Sequence, residues 1–280
     1  MDFVYSLLDK AFPFELLSYS FMKNAFLAIL LVTPLFGLLS TMVVSNRMAF
    51  FADSLGHGAF SGIAIGVLLG ASSPLLSLIL FSVIFAVFIT YIKQRSNEST
   101  DTVIGVFSAM AVALGLMIMS RGGGFNKFSS YLIGDVLSIR REEIAVLFVI
   151  FCGVIVAWSL LFNSLLLLSI NAAFARSRGI RSFLIESCFA SLVAVVVAMS
   201  IQGVGILVIN SLLVLPGAAA RNVTSDVKGY HLVSVLLSVL SGLTGLVGAY
   251  YCDMAVGATV VLVAAVCYFL TLLLKPYFVK

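Results

Sequence analysis

Long apolar stretches recur along the whole 280-residue chain, and they constrain its fold more than any other feature. A helix needs about 20 mainly apolar residues to cross roughly 30 Å of hydrocarbon. Nine stretches approach or exceed that length, at residues 22–44, 56–70, 75–92, 102–119, 144–168, 183–200, 203–220, 231–251 and 255–274. Some are short or interrupted by glycine, so one or two are candidates for half-spans. The pattern predicts an all-α, polytopic membrane bundle of about eight to nine transmembrane helices, forming one domain over residues 1–280.

The amino-acid composition excludes an ordinary soluble domain and argues against nucleic-acid binding. Hydrophobic residues make up 62% of the chain and charged residues 10%, against about 25% charged in soluble domains. The net charge of +4 is scattered over loops, with no basic cluster interleaved with aromatic residues, so we expect no nucleic-acid partner. Residues 1–21 lack the pattern of a cleavable signal and are interpreted as an interfacial segment.

Positive charges orient the loops. Residues 171–181 contain Arg176, Arg178 and Arg181, which predicts a cytoplasmic loop. The same bias places the loops around Arg47 and Lys93 in the cytoplasm. It also favours the cytoplasm for the loop between Arg121 and Arg141. Simple alternation of spans cannot satisfy all of these placements, which again suggests a half-span.

Asp53 and His57 lie within an otherwise apolar stretch. An ionisable residue at the centre of a membrane helix costs roughly 2.5–3.5 kcal/mol and suggests a functional site. Four residues apart, the two side chains share a helix face, about 6 Å apart along the axis. They can bind a divalent metal ion, or Asp53 can cap its helix with His57 bonded back to it. Both interpretations remain open from spacing alone.

The donor types narrow the choice of ion. No thiolate lies nearby in the sequence, so nitrogen and oxygen donors favour Mn²⁺, Fe²⁺ or Zn²⁺. Two ligands are too few for a closed structural site, and an incomplete site suits an ion in passage. Asp135 is a possible secondary polar site, although a loop cap is the favoured role. Asp101 is interpreted as a helix cap.

A stripe of small residues follows the acid–histidine pair. Gly58, Gly62, Gly66 and Gly70 recur every four residues and allow another helix to approach closely. Packing within the chain is favoured over a dimer contact. The pattern predicts that the helix carrying Asp53 and His57 packs inside protein.

Motifs of several enzyme classes are missing from the sequence. The chain contains no GxxxxGK[ST] loop, HExxH or GxSxG. We therefore predict that it is not an enzyme and binds no cofactor of its own. If ATP drives transport, the ATPase is a separate polypeptide.

Five ordered blocks resemble the membrane permease of the bacterial ABC importers for zinc, manganese and iron(II). They read NRMAFFADSLGHGAFSGIAIG, DTVIGVFSAMAVALGL, FSSYLIGDVLSI, GVGILVINSLLVLPGAAAR and CDMAVGATVVLVAAV, and the likeness runs from about residue 22 to 274. The resemblance implies a multi-pass protein of the bacterial inner membrane. It also implies three partners: a second copy of the permease, a cytoplasmic ATP-binding subunit and an extracellular or periplasmic metal-binding protein.

The same resemblance implies roles for individual residues. Asp53 and His57 match the family's acid and histidine, which contact the transported Zn²⁺, Mn²⁺ or Fe²⁺ ion. The cytoplasmic coupling loop falls at 171–181, with Ala172, Ala175, Arg176 and Gly179 as contacts to the ATPase. Asn171 stands where the family often has aspartate, and Gly56 where serine or alanine is usual. The alternative is a self-sufficient secondary metal transporter driven by an ion gradient, which would also place an acid and a histidine in the bilayer.

Overall fold

A computed structural model describes Tyr5 and residues 15–71, 74–122 and 136–278. Its helices are α1 (Ser20–Ser45), α2 (Ala49–Leu68), α3 (Pro74–Arg95), α4 (Thr100–Gly122), α5 (Arg141–Ile170), α6 (Ala172–Ser177), α7 (Ser182–Val204), α8 (Ile206–Val223), α9 (Val227–Cys252) and α10 (Val256–Phe278). Within these described ranges, nine helices are long and apolar enough to cross a membrane, and regular structure is entirely helical. The predicted all-α membrane bundle is confirmed.

The start of α2 differs most from the prediction. Hydropathy places it at residue 56, whereas the helix begins at Ala49. The first two turns are less apolar than the rest of the helix, which hides them from a hydropathy search. Of the predicted interfacial segment 1–21, residues 1–4 and 6–14 lie outside the described residues, and α1 begins at Ser20.

The chain divides into two compact units. The first comprises Met1–Thr41, Gly134–Gly153 and Gly203–Lys280. Small polar residues join its helices: the Ser234 and Ser238 hydroxyls on α9 donate to the Gly37 and Thr33 carbonyls on α1, each at 2.6 Å. A Cβ at Gly37 would lie 2.8 Å from the Ser238 Cβ, so the two backbones nearly touch. Such small-residue contacts hold helices together where lipid removes the hydrophobic drive for association.

The second unit comprises Met42–Ile133 and Val154–Gln202. Here α2 and α3 run antiparallel, since Gly58, Gly62 and Gly66 successively face Phe85, Phe81 and Ser77. The Ser61 hydroxyl bonds the carbonyl of Ala111, which joins α2 to α4. The α2 helix is thus enclosed on two sides by protein.

An ion pair fixes which ends of this unit lie together. Lys93, near the end of α3, contacts Glu186 in the second turn of α7 at 3.0 Å. The end of α3 therefore lies near α6, which immediately precedes α7. The helix α4 starts just after the end of α3. It rises about 1.5 Å per residue over 23 residues, so its last residue lies at the opposite end of the unit. Positive charge favours the side of 171–181 for the loop after α4, and the course of α3 and α4 favours the opposite side.

Candidate functional site

Asp53 and His57 project from the second and third turns of α2. The helix begins at Ala49, and its N-cap is Met48, without a side-chain cap bond. Asp53 therefore does not cap the helix, so the cap interpretation is wrong, whereas the contact of His57 with Asp53 is present. The Asp53 Oδ2 and His57 Nε2 atoms lie 3.5 Å apart, and the side chains are 46% and 47% exposed. A carboxylate oxygen and an imidazole nitrogen thus stand together at an open surface.

The pair opens into a groove of about 700 Å³ between α2 and α4. Most of its lining is apolar or small, and its ionisable side chains are Asp53, His57 and Asp101. The lining residues are Phe50, Asp53, His57, Asp101, Ile104, Gly105, Ser108, Ala109, Val112, Ala113 and Leu116. A cation in this groove would meet the carboxylate and imidazole as its main donors.

Asp101 is a site residue that the sequence interpretation missed. The Thr102 backbone amide donates to the Ser99 hydroxyl at 3.1 Å, so Ser99 caps α4 and Asp101 lies in the first turn. The predicted cap is therefore wrong, and the Asp101 carboxylate is left to line the groove. The signal was present in the sequence: Asp101, Gly105, Ser108 and Ala109 repeat with helical spacing on one face.

The donor set in one chain is incomplete. Across the described part of the chain, no three His, Cys, Asp or Glu side chains are close enough to hold a metal ion together. Asp101 shares the groove but not the immediate surroundings of the pair. A tightly held ion would need further donors from water or from another chain. The Asp135 prediction lies outside the described residues.

The glycine stripe divides into two roles. Gly58, Gly62 and Gly66 face α3, where an added Cβ would lie 3.3, 2.9 and 2.5 Å from its nearest neighbours. Gly70 lies past the end of α2 at φ +67°, and an added Cβ there would meet no described atom. Gly70 thus forms a turn instead of a packing contact.

The predicted coupling loop contains the short helix α6. Asn171 caps it, since its side-chain oxygen accepts from the Phe174 amide at 3.0 Å. Ala175 is fully buried, whereas Ala172 and Arg176 are exposed. Gly179 follows α6 in the left-handed region, with φ +80°. The loop presents the half-exposed Phe174, with the Arg178 guanidinium 5.2 Å from its ring centroid.

The sequence matches the ABC 3 transport family over residues 18–275. The chain belongs to the ABC 3 transport family. Two bacterial relatives carry metal-transport names. The manganese transport system membrane protein MntC of Halalkalibacterium halodurans is 29% identical, over 94% of this chain and 90% of that protein. The zinc uptake membrane protein ZnuB of Haemophilus influenzae is 29% identical, over 84% of this chain and 90% of that protein.

Solved structures support the same fold. A chain of PsaBC from Streptococcus pneumoniae, in complex with Fab, superposes with a TM-score of 0.78 at 22% identity, over 97% of this chain and 95% of that one. With its nine apolar helices, this ABC 3 family member is a multi-pass protein of the bacterial inner membrane. The predicted family and location are confirmed.

Proposed function

We propose that this chain is the permease subunit of an ATP-driven importer for a divalent transition-metal ion, Mn²⁺, Zn²⁺ or Fe²⁺. Family membership supports a transport role, and the names of the relatives support manganese or zinc as cargo. The observation that carries the proposal is the Asp53–His57 pair, half-exposed in the groove between α2 and α4.

The properties of the groove also favour a second copy of the chain that packs over it. Exposing a carboxylate and an imidazole to lipid is costly, so such residues face protein or water. The α4 wall offers small residues, Gly105, Ala109 and Ala113, that let another helix approach closely. Two chains facing each other across their grooves would together supply two carboxylates and two imidazoles around one passage.

The chemistry of the pair fits a transported ion. Oxygen and nitrogen donors accept Mn²⁺, Fe²⁺ and Zn²⁺, and the choice among them depends on geometry more than on affinity. Among its described residues each chain contributes two close donors, so an ion can enter and leave by exchanging ligands. A metal-binding protein outside the cell would deliver the ion.

ATP would act from the cytoplasmic side through a separate subunit. The chain has no nucleotide-binding loop of its own. The arginine-rich loop 171–181, with exposed Phe174, Arg176 and Arg178, offers the contact surface. Movement of the ATPase against α6 would switch the permease between outward and inward states.

Uptake measurements with energy depletion test this proposal. Cells expressing the tagged chain at normal abundance should accumulate radioactive manganese or zinc only while ATP is present, and an ATP-binding subunit should co-purify with the chain. Uptake that continues without ATP and stops with an ionophore would instead support the secondary transporter.

A further inference from the structure

Lys93 and Glu186 form a partly buried ion pair within the second unit. Their nitrogen and oxygen lie 3.0 Å apart, and the side chains are only 20% and 19% exposed. The pair joins α3 to α7, which are far apart in sequence. By contrast, Arg140 and Glu143 are neighbours in sequence, lie 3.7 Å apart and are 80% and 47% exposed. Exposed pairs contribute little, whereas removing one partner of a shielded pair leaves the other charge poorly compensated.

Aromatic contacts reinforce the same junction. The Tyr91 and Phe183 rings meet edge to face with centroids 6.1 Å apart, and the Arg95 guanidinium lies 4.8 Å from the Tyr91 centroid. Phe183 and Glu186 belong to the start of α7, a few residues after α6. The last turns of α3 are therefore fastened to the segment that directly follows the proposed ATPase contact.

The same helix α3 supports both walls of the groove. The Phe85 ring packs against Gly58, next to His57, so that a Cβ on Gly58 would lie 3.3 Å from it. On the other side, Phe85 and Phe88 both contact Phe107 edge to face, at 5.9 and 5.3 Å between centroids. Phe107 precedes the groove residue Ser108 on α4. Displacement of α3 would thus shift α2 and α4 together.

We infer that Lys93 and Glu186 are positioning residues, which transmit movement of α6 through α3 to the groove that holds Asp53 and His57. Every contact in this route lies within the second unit: α6 continues into α7, α7 holds the end of α3, and α3 holds both groove walls. This inference rests on the proposed function, because it needs an ATPase acting at α6. It adds Lys93 and Glu186 as the residues that connect the proposed ATPase contact at α6 to the candidate metal ligands.

Charge reversal tests the inference. Lys93→Gln and Glu186→Gln should each lower metal uptake about two- to thirtyfold, the range expected for a disrupted coupling contact, while the ATPase subunit still co-purifies. ATP hydrolysis by the purified complex should persist but lose its stimulation by the metal-loaded binding protein. The double variant Lys93→Glu/Glu186→Lys restores opposite charges and should recover uptake and stimulation. Arg140→Gln, at the exposed pair, is the matched control and should leave both unchanged.

Several results would overturn the inference. Single variants with unchanged uptake at normal abundance would do so. So would a double variant that reaches normal abundance without recovering uptake. If the single variants accumulate poorly, uptake and stimulation are compared per molecule of purified complex, since a purely structural role would lower abundance and leave the stimulation of the remaining complex intact. Absence of ATP-dependent uptake in the unmodified protein would contradict the proposed function itself, which separates the two failures.

Discussion

At the scale of single residues, Gly62, which has no side chain, positions the helix that carries the candidate metal ligands. Gly62 lets α2 approach α3 until an added Cβ would lie 2.9 Å from the Phe81 Cβ and 3.2 Å from the Leu78 Cα. Neither atom can swing aside, because one is backbone and the other is fixed to it. The glycine is therefore a packing requirement at this position, and the orientation of Asp53 and His57 depends on that packing.

Gly62→Ala should destabilise the protein by about 1–3 kcal/mol, the usual cost of overpacking a close contact. Thermal unfolding of the purified protein in detergent measures this effect. The matched control is Gly248→Ala on α9, where an added Cβ meets no atom within 4 Å. The control should leave the unfolding temperature unchanged or raise it, since alanine favours a helix. Equal melting of the two variants would contradict the packing account.

Part of the candidate site could be predicted from individual residues of the sequence. Asp53 and His57 stand out because ionisable residues are rare in apolar segments. The sequence predicts a cap role for Asp101, because an acid beside a helix start ordinarily has that role. Only the structure shows that the Ser99 hydroxyl takes the cap bond and that Asp101 lines the groove. Ser99 and Asp101 both lie near the start of α4, and the sequence spacing alone does not tell which of them makes the cap bond.

At the scale of elements, α6 depends on one side chain for its start. It has six residues, too few to be stable by itself, and Asn171 satisfies the Phe174 amide. Aspartate, which the resembled family often has here, offers the same acceptor. Asn171 therefore preserves the cap, although it is neutral and aspartate is negatively charged.

Asn171→Ala should cost about 1 kcal/mol at the helix start and weaken retention of the ATPase subunit. Asn171→Asp should keep both, because its carboxylate accepts the same bond. Co-purification of the ATPase at rising salt, compared for the two variants, measures the effect. Equal retention by the alanine and aspartate variants would show that the cap is not needed for docking.

The ends of α3 and α4 also yield a prediction about topology. With α6 in the cytoplasm, the loop between α3 and α4 lies there too, and α4 must end outside. A cysteine at Asn97 should react with a membrane-impermeant thiol reagent only after the cells are opened, and one at Arg140 should react in intact cells. All native cysteines are first replaced by alanine. Labelling of both positions from one side would contradict the placement.

Hydropathy predicts the helices well, because crossing the hydrocarbon demands a long apolar run whatever the tertiary structure. Eight of the nine predicted starts lie within about four residues of the observed ones. The α2 start was missed because its first turns are the ones that carry the polar residues. Contacts such as Lys93 with Glu186 join residues 93 positions apart, and no local pattern specifies such a pair.

At the scale of the whole molecule, the open groove between α2 and α4 offers a surface to a partner. The exposed α4 positions Gly105, Ala109 and Ala113 form its small-residue wall. Single exposed leucines elsewhere are ordinary for a lipid-facing surface, whereas a small-residue face beside ionisable groups favours a protein contact. A second copy of the chain would meet this face.

Ala109→Trp should block that approach and shift the purified protein from dimer to monomer, because the indole fills space that a facing helix would occupy. Leu160→Trp is the matched control, since Leu160 is 76% exposed on α5 and away from the groove. Light scattering in detergent gives the mass of each variant. A dimer that persists in Ala109→Trp would place the contact between copies elsewhere.

The most direct test of the central claim measures metal uptake after removing each donor of the pair. Asp53→Ala and His57→Ala should reduce uptake of manganese or zinc to background, while membrane abundance and ATPase co-purification stay normal. His231→Ala, at the other histidine of the chain, should transport normally. Normal uptake by the Asp53 and His57 variants would contradict the account, because the groove would then carry no ion past these side chains.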